Sequence, residues 1–205
     1  SRYERRLTSS LQKIGGFLMG KYDIGEPVWV TIRGIRVNVG AKIQDVTQEY
    51  LDNASPGIGD VIVEPDVYHP NEDRTEDINN AYWIRDTFGG NITVLNVERS
   101  EETNRDLQTP DYSWDNRLFE RKTPTSQNAL DKHIQSAVHQ ITAKKTRSPN
   151  FHEGGFLLCD VTKHVDLETI HAAIVSRLRQ QNAFSQLDII VKEGNKLVKV
   201  IRWHK

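Results

Sequence analysis

The chain has 205 residues, 37 % hydrophobic and 27 % charged, with a net charge of −1, which is room for one large domain or a domain with an accessory segment, in a water-soluble composition. No apolar run nears the roughly 18 residues that cross a bilayer, and the opening SRYERRLTSS lacks the apolar core of a signal peptide, so neither a membrane span nor an export address is expected within it. Cys159 is the only cysteine, which excludes an internal disulfide and a cysteine-rich zinc site.

Leu7, Leu11, Ile14 and Leu18 recur at helical spacing and predict an opening helix that ends near Gly15-Gly16. In VWVTIRGIRVNVG the apolar residues alternate, predicting strands over 28–32 and 35–39 around Gly34. VIVEPDVY completes a small β-rich unit, and YHPNEDRTED reads as a linker. We place a boundary there, with residues 1–68 as accessory segment and 69–205 as the main domain. From Thr75 the period changes: Ile78, Ala81, Ile84 and Phe88 share a helical face, and Gly89-Gly90 stops the helix. A strand in NITVLNV and a charged loop follow. Next come a strand over 112–114, a turn at Asp115-Asn116, a strand over 118–122 and the loop TPTSQN.

A helix is predicted over 129–143 with Leu130, Ile134, Ala137, Val138 and Ile141 buried. After KKTRSPNFHEGG, a strand FLLCDV should bury Cys159, and Asp166 should cap a helix burying Leu167, Ile170, Ile174 and Leu178. LDIIVKEGNKLVKVIRW reads as a closing hairpin turning at Glu193-Gly194-Asn195. Helices interleaved with strands predict an α/β fold, a mixed central sheet flanked by helices.

TPDYSWDNRLFERK carries the chemistry. Glu120 and Lys122 are two apart, so on a strand they leave the same face while Arg121 leaves the other. If Asp115-Asn116 folds the strands back, Asp111 meets Glu120 at one end of the hairpin. Two converging carboxylates repel unless a cation neutralises them, and oxygen ligands suit Mg²⁺ or Mn²⁺. Such an ion polarises a phosphoryl oxygen and activates water, and Lys122 would stabilise the charge growing on phosphorus. Hydroxyls of Thr123, Thr125 and Ser126 are candidate phosphate donors. Lys144, Lys145 and Arg147 form a basic cluster, and residues 106–205 carry 15 Lys+Arg against 11 Asp+Glu, a bias that favours an anionic partner. Trp114 and Trp203 are expected in the core rather than stacked on bases. A metal-free alternative would use His152, His164 or His171 as acid and base, although no two of them form a recognisable pair.

The order of these segments resembles PD-(D/E)XK nucleases. More narrowly it is similar to the C-terminal tRNA-nuclease domain of CdiA-type contact-dependent growth inhibition toxins and of related polymorphic-toxin and phage-head-associated proteins. AYWIRDTFGGNITVL, TPDYSWDNRLFERKTPTS, the helix ending in HQI, GGFLLCDV and LDIIVKEGNKLVKVIRW carry it, over about residues 70–205. The resemblance implies that Asp111 and Glu120 bind the metal, Mg²⁺ or another divalent ion such as Mn²⁺ or Zn²⁺, and that Lys122 is catalytic. It implies a further acid on the preceding helix, either Glu76 or Asp77, with Glu76 favoured because Asp77 shares the face of Ala81, Ile84 and Phe88. Gln140 matches a position where related nucleases hold a polar residue near the site, and Lys144 and Lys145 would follow the substrate. Also implied are tRNA as substrate, a cognate immunity protein, and delivery within a larger polypeptide to the cytoplasm of a target cell. A DNA endonuclease with the same site and a non-enzymatic phage structural or adaptor domain stay open.

Overall fold

A computed structural model describes residues 29–32, 34–38, 42–65 and 72–205. The helix expected near the start of the chain lies outside them. In chain order the elements are β1 (Trp29–Ile32), β2 (Ile35–Asn38), β3 (Ile43–Asp45), α1 (Thr47–Asp52), β4 (Val61–Val63), α2 (Thr75–Phe88) and β5 (Ile92–Val94). They continue with β6 (Tyr112–Trp114), β7 (Arg117–Lys122), α3 (Gln127–Arg147), β8 (His152–Cys159), α4 (Leu167–Leu178), β9 (Gln186–Glu193) and β10 (Lys196–His204). Strands β1 and β2 form a two-stranded ribbon, and the other eight lie in the order β3-β10-β9-β8-β7-β6-β5-β4. Because β4 runs parallel to β5 while β5, β6 and β7 alternate in direction, the sheet is mixed. The architecture among the described residues is therefore mixed α/β, with this sheet and four α-helices. None of those helices is long and apolar enough to cross a membrane.

Residues 43–63, which the sequence reading assigned to the accessory segment, supply β3 and β4 to the main sheet. The run VIVEPDVY reads as β-rich and supplies β4, whereas the three residues of β3 are too few to show a period; β3 is held by its pairing with β10, Ile43 opposite Trp203 and Asp45 opposite Ile201. Two predicted elements are longer than expected. Helix α3 extends at both ends, and β8 begins at His152 because the glycines of HEGG continue the strand.

The chain divides into two compact units, one of residues 1–53, 122–135 and 156–205 and the other of residues 54–121 and 136–155. In the first, β9 buries Leu187, Ile189, Ile190 and Val191 on both faces, as a central strand does. Asp166 caps α4 by accepting from the Thr169 amide at 2.8 Å, and Ile170, Ile174 and Leu178 are buried.

The second unit positions the site. Helix α2 buries Ala81, Ile84 and Phe88, packs on β4 and β5, and stops at Gly89, whose φ of 78° lies in the left-handed region. From its end an aromatic chain reaches the β6–β7 hairpin: Phe88 to Trp114 at 5.5 Å and Trp114 to Phe119 at 5.3 Å between ring centroids. The Trp114 indole N–H donates to the Gly89 carbonyl at 3.0 Å. Asp115 and Asn116 both have positive φ, 46° and 65°, the requirement of a two-residue type I′ turn, whose twist matches that of the strands.

Gly154 on β8 is pressed against this hairpin. A Cβ there would lie 2.4 Å from the Phe119 ring and 2.5 Å from the Leu118 carbonyl oxygen. Gly154→Ala is expected to destabilise the protein by about 1–3 kcal/mol, the usual range for overpacking. Urea unfolding measures it, and an unchanged midpoint would contradict the close approach.

Candidate active site

The type I′ turn sets the register of β6 and β7: Trp114 faces Arg117 and Tyr112 faces Phe119. One step further from the turn, Asp111 meets Glu120. The Asp111 amide donates to Glu120 Oε1 at 3.0 Å, and the Arg121 amide donates to Asp111 Oδ2 at 2.9 Å. Each carboxylate therefore accepts from the main chain of the facing strand. Glu120 is 2 % exposed, whereas the Asp111 side chain keeps a narrow opening to solvent. Burial first, and the adjacent Glu120 carboxylate second, push the Asp111 carboxyl well above the usual carboxylate range, with Asp77 adding to the effect.

Asp77, buried at the start of α2, completes a cluster of three acids, but with different partners. Its Oδ2 accepts from Arg74 Nε at 2.6 Å and its Oδ1 from Arg121 Nε at 2.8 Å. Arg74 spans the cluster: Nη1 donates to the Leu95 carbonyl at 3.0 Å and Nη2 to Asp111 Oδ1 at 3.4 Å. The Tyr112 hydroxyl donates to the Asp77 carbonyl oxygen at 2.7 Å, tying the helix start to β6. Glu76 is exposed; of the two candidate helix acids, Asp77 is the one near Asp111.

Lys122 follows Glu120 by two residues on β7 and shares its face by strand alternation. Its ammonium acts on His133 of α3, a residue the sequence reading did not consider. Burial, then the Lys122 charge, lowers the proton affinity of His133, and His133 Nδ1 is buried without a hydrogen-bond partner among the described residues. Ser126 is occupied as a helix cap, its hydroxyl accepting from the Ala129 amide at 3.1 Å; Thr123 and Thr125 are exposed beside it. Gln140 is half-buried and reaches Ser136 Oγ at 3.5 Å. The basic cluster, which falls in the last turn of α3, is paired with acids: Lys144 and Arg147 both bind Glu98, and Lys145 binds Glu153 at 2.7 Å. Of the histidines considered as acid and base, His152 and His164 are exposed and His171 is buried in α4.

No family model, curated protein or solved structure matches the chain. The chemistry of the site therefore rests on its own groups. Three carboxylates, Asp77, Asp111 and Glu120, face two guanidinium groups, Arg74 and Arg121, leaving one negative charge uncompensated when all are ionised. Both oxygens of Asp77 are committed to arginine, and among the described residues no group of three or more His, Cys, Asp and Glu is arranged to hold a metal. Asp111 and Glu120 remain as a two-carboxylate set. That set fits Mg²⁺ or Mn²⁺, which keep several waters and often take one or two protein carboxylates; its lack of nitrogen and sulfur donors suits Zn²⁺ less.

The raised proton affinity of Asp111 has a linkage consequence. The folded chain holds this proton where the unfolded chain has lost it, so the stabilising share of Asp111 is full below about pH 4 and fades as pH rises through the folded value. Urea unfolding without divalent ions, from pH 4 to 8, should show Asp111→Asn gaining stability relative to the wild type as pH rises. A pH-independent difference would remove the carboxyl contact.

Proposed function

We propose that the chain is a divalent-metal-dependent phosphodiesterase of PD-(D/E)XK type, an endoribonuclease acting on tRNA. The observation that carries this reading is the approach of Asp111 to Glu120 at the open end of the β6–β7 hairpin, with Lys122 on the Glu120 face. A buried carboxyl held against a carboxylate favours a cation in place of its proton. In this reading Asp111 and Glu120 hold the ion, which when bound polarises a phosphoryl oxygen and lowers the pKa of a coordinated water. Lys122 places a positive charge beside the scissile phosphate and stabilises the anionic charge that develops on its oxygens. Lys122 also faces His133, whose depressed proton affinity keeps that imidazole neutral near pH 7, so the ammonium has no competing imidazolium beside it.

Protonation state and charge count agree with this division of labour. With all three carboxyls ionised the five-group cluster carries one net negative charge, and a divalent ion held by Asp111 and Glu120 would make it one net positive charge, which would turn a site that repels phosphate into one that attracts it. The choice of tRNA, the toxic role in the cytoplasm of a target cell, delivery within a larger polypeptide and a cognate immunity protein rest on the segments that resemble CdiA-type toxin domains. DNA is the alternative substrate of the same chemistry.

Purified chain incubated with Mn²⁺ and either total tRNA or plasmid DNA should cleave the tRNA and spare the plasmid. EDTA should abolish cleavage, and Lys122→Ala should lower kcat by about 100-fold, the usual effect of removing one transition-state donor. Plasmid cleavage with intact tRNA would move the reading to a DNA endonuclease. Activity that survives both EDTA and Lys122→Ala would falsify the metal-dependent mechanism.

A further inference from the structure

The buried arginine at the start of α2 has no part in the chemistry described above. Arg74 is 7 % exposed, and three of its nitrogens reach three separate elements of the second unit. Nε binds Asp77 on its own helix, Nη1 binds the Leu95 carbonyl just after β5, and Nη2 reaches Asp111 just before β6. A planar guanidinium presents donors in a fixed fork, which an ammonium cannot reproduce. Asp77 in turn holds that fork in place, since one of its oxygens accepts from Arg74 Nε and the other from Arg121 Nε, while the Arg121 main-chain amide donates to Asp111 Oδ2. Both oxygens of Asp111 thus have donors: Oδ2 takes the Arg121 amide, fixed by the strand, and Oδ1 takes Arg74 Nη2, whose guanidinium Asp77 aligns.

We propose that Arg74, aligned by Asp77, is a positioning residue that orients the Asp111 carboxylate beside Glu120 for a divalent cation. This assigns the helix acid a supporting role in place of a ligand role, and it rests on the metal-dependent reading above. Arg74 carries a positive charge toward the cation site, so repulsion and orientation make different predictions. Replacing the fork by another cation leaves cation binding unchanged if Arg74 acts only as a competing charge, and weakens it if Arg74 sets the geometry. Groups that hold a ligand in place change metal affinity by about 10- to 100-fold when altered.

The test is Mn²⁺ titration of the metal-free full chain by calorimetry, without nucleic acid, with thermal melting of each variant as a check on folding. Arg74→Lys keeps the charge and loses the fork; Asp77→Asn keeps Arg74 and loosens its alignment. Each should weaken Mn²⁺ binding about tenfold, and excess Mn²⁺ should restore the cleavage rate of Arg74→Lys toward that of the wild type. Arg85→Lys, a half-buried position on the same helix paired with Asp86, should bind Mn²⁺ as the wild type does. Should Arg74→Lys not fold, Arg74→Gln decides, because losing the charge alone would tighten Mn²⁺ binding while losing the orientation weakens it. Wild-type or tighter binding by the folded variants overturns the positioning role while leaving the nuclease reading intact; a wild-type chain that binds no Mn²⁺ overturns both.

Discussion

Two carboxyl groups brought together at the end of a buried hairpin cannot both be ionised cheaply, and the second unit is organised around that constraint. The approach of Asp111 to Glu120 follows from backbone geometry. Asp115 and Asn116, both in the left-handed region, make the tight turn, the turn sets the register, and the register leaves the two acids facing each other one step beyond the last ladder pair. The aromatic chain from Phe88 through Trp114 to Phe119 fixes the hairpin against α2, so the acids have little freedom to move apart. What varies is the counter-charge: a proton on Asp111, a guanidinium or, on the proposed reading, a metal ion. Function in such a site amounts to which of the three prevails under the conditions that matter.

The three acids of the cluster therefore have unlike environments although they lie within one unit. Asp77 is fully engaged by two guanidinium groups, Glu120 is buried and accepts a main-chain amide, and Asp111 is the one whose proton affinity rises. Surface ion pairs of similar length are worth little, but Arg74 and Asp77 are both nearly excluded from solvent, and removing one partner from such a pair leaves an uncompensated buried charge. Asp77 and the arginines are accordingly as much a structural requirement of the hairpin and helix as they are a determinant of the chemistry. A fold that needs this ion-pair network for its own stability acquires an ordered carboxylate beside it without further adjustment.

The legible parts of the sequence were those governed by local rules. The hairpin could be read because Asp-Asn is a turn signal between two short apolar runs, and α2 because its apolar residues recur until two glycines stop it. The same periodicity gave the face of Asp77 correctly while leading the choice of acid toward Glu76. An acid in a core-facing stripe looks misplaced until its partners are known, and Arg74 and Arg121 are 47 residues apart in the chain, beyond the reach of any local rule. Arg74 does sit three residues before Asp77, a spacing that pairs side chains on a helix, but at a helix start this is a weak signal. Strand β3 and the place of β4 in the main sheet were invisible for a related reason: each strand has three residues, and only its partner strand fixes where it pairs. The basic cluster in the last turn of α3 shows the limit of counting charges, since Lys144, Lys145 and Arg147 are each matched to Glu98 or Glu153.

That pairing bears on how a polyanion would be held. Affinity for a nucleic-acid backbone comes largely from releasing counterions as phosphates are neutralised by lysine and arginine. A cation already bound to a carboxylate must first give up that partner, so its contribution is the difference between two ion pairs. Glu98 draws on Lys144 and Arg147 together, and both cations hold its carboxyl below the usual range against the opposing effect of burial; the cost of opening that group is correspondingly larger than for an exposed pair. Recognition by the charge of this segment alone is thereby weakened. On the proposed reading a substrate would be selected at the hairpin end instead, where the net charge would depend on whether a cation is bound, and substrate affinity would be tied to the same carboxylate pair that the fold brings together.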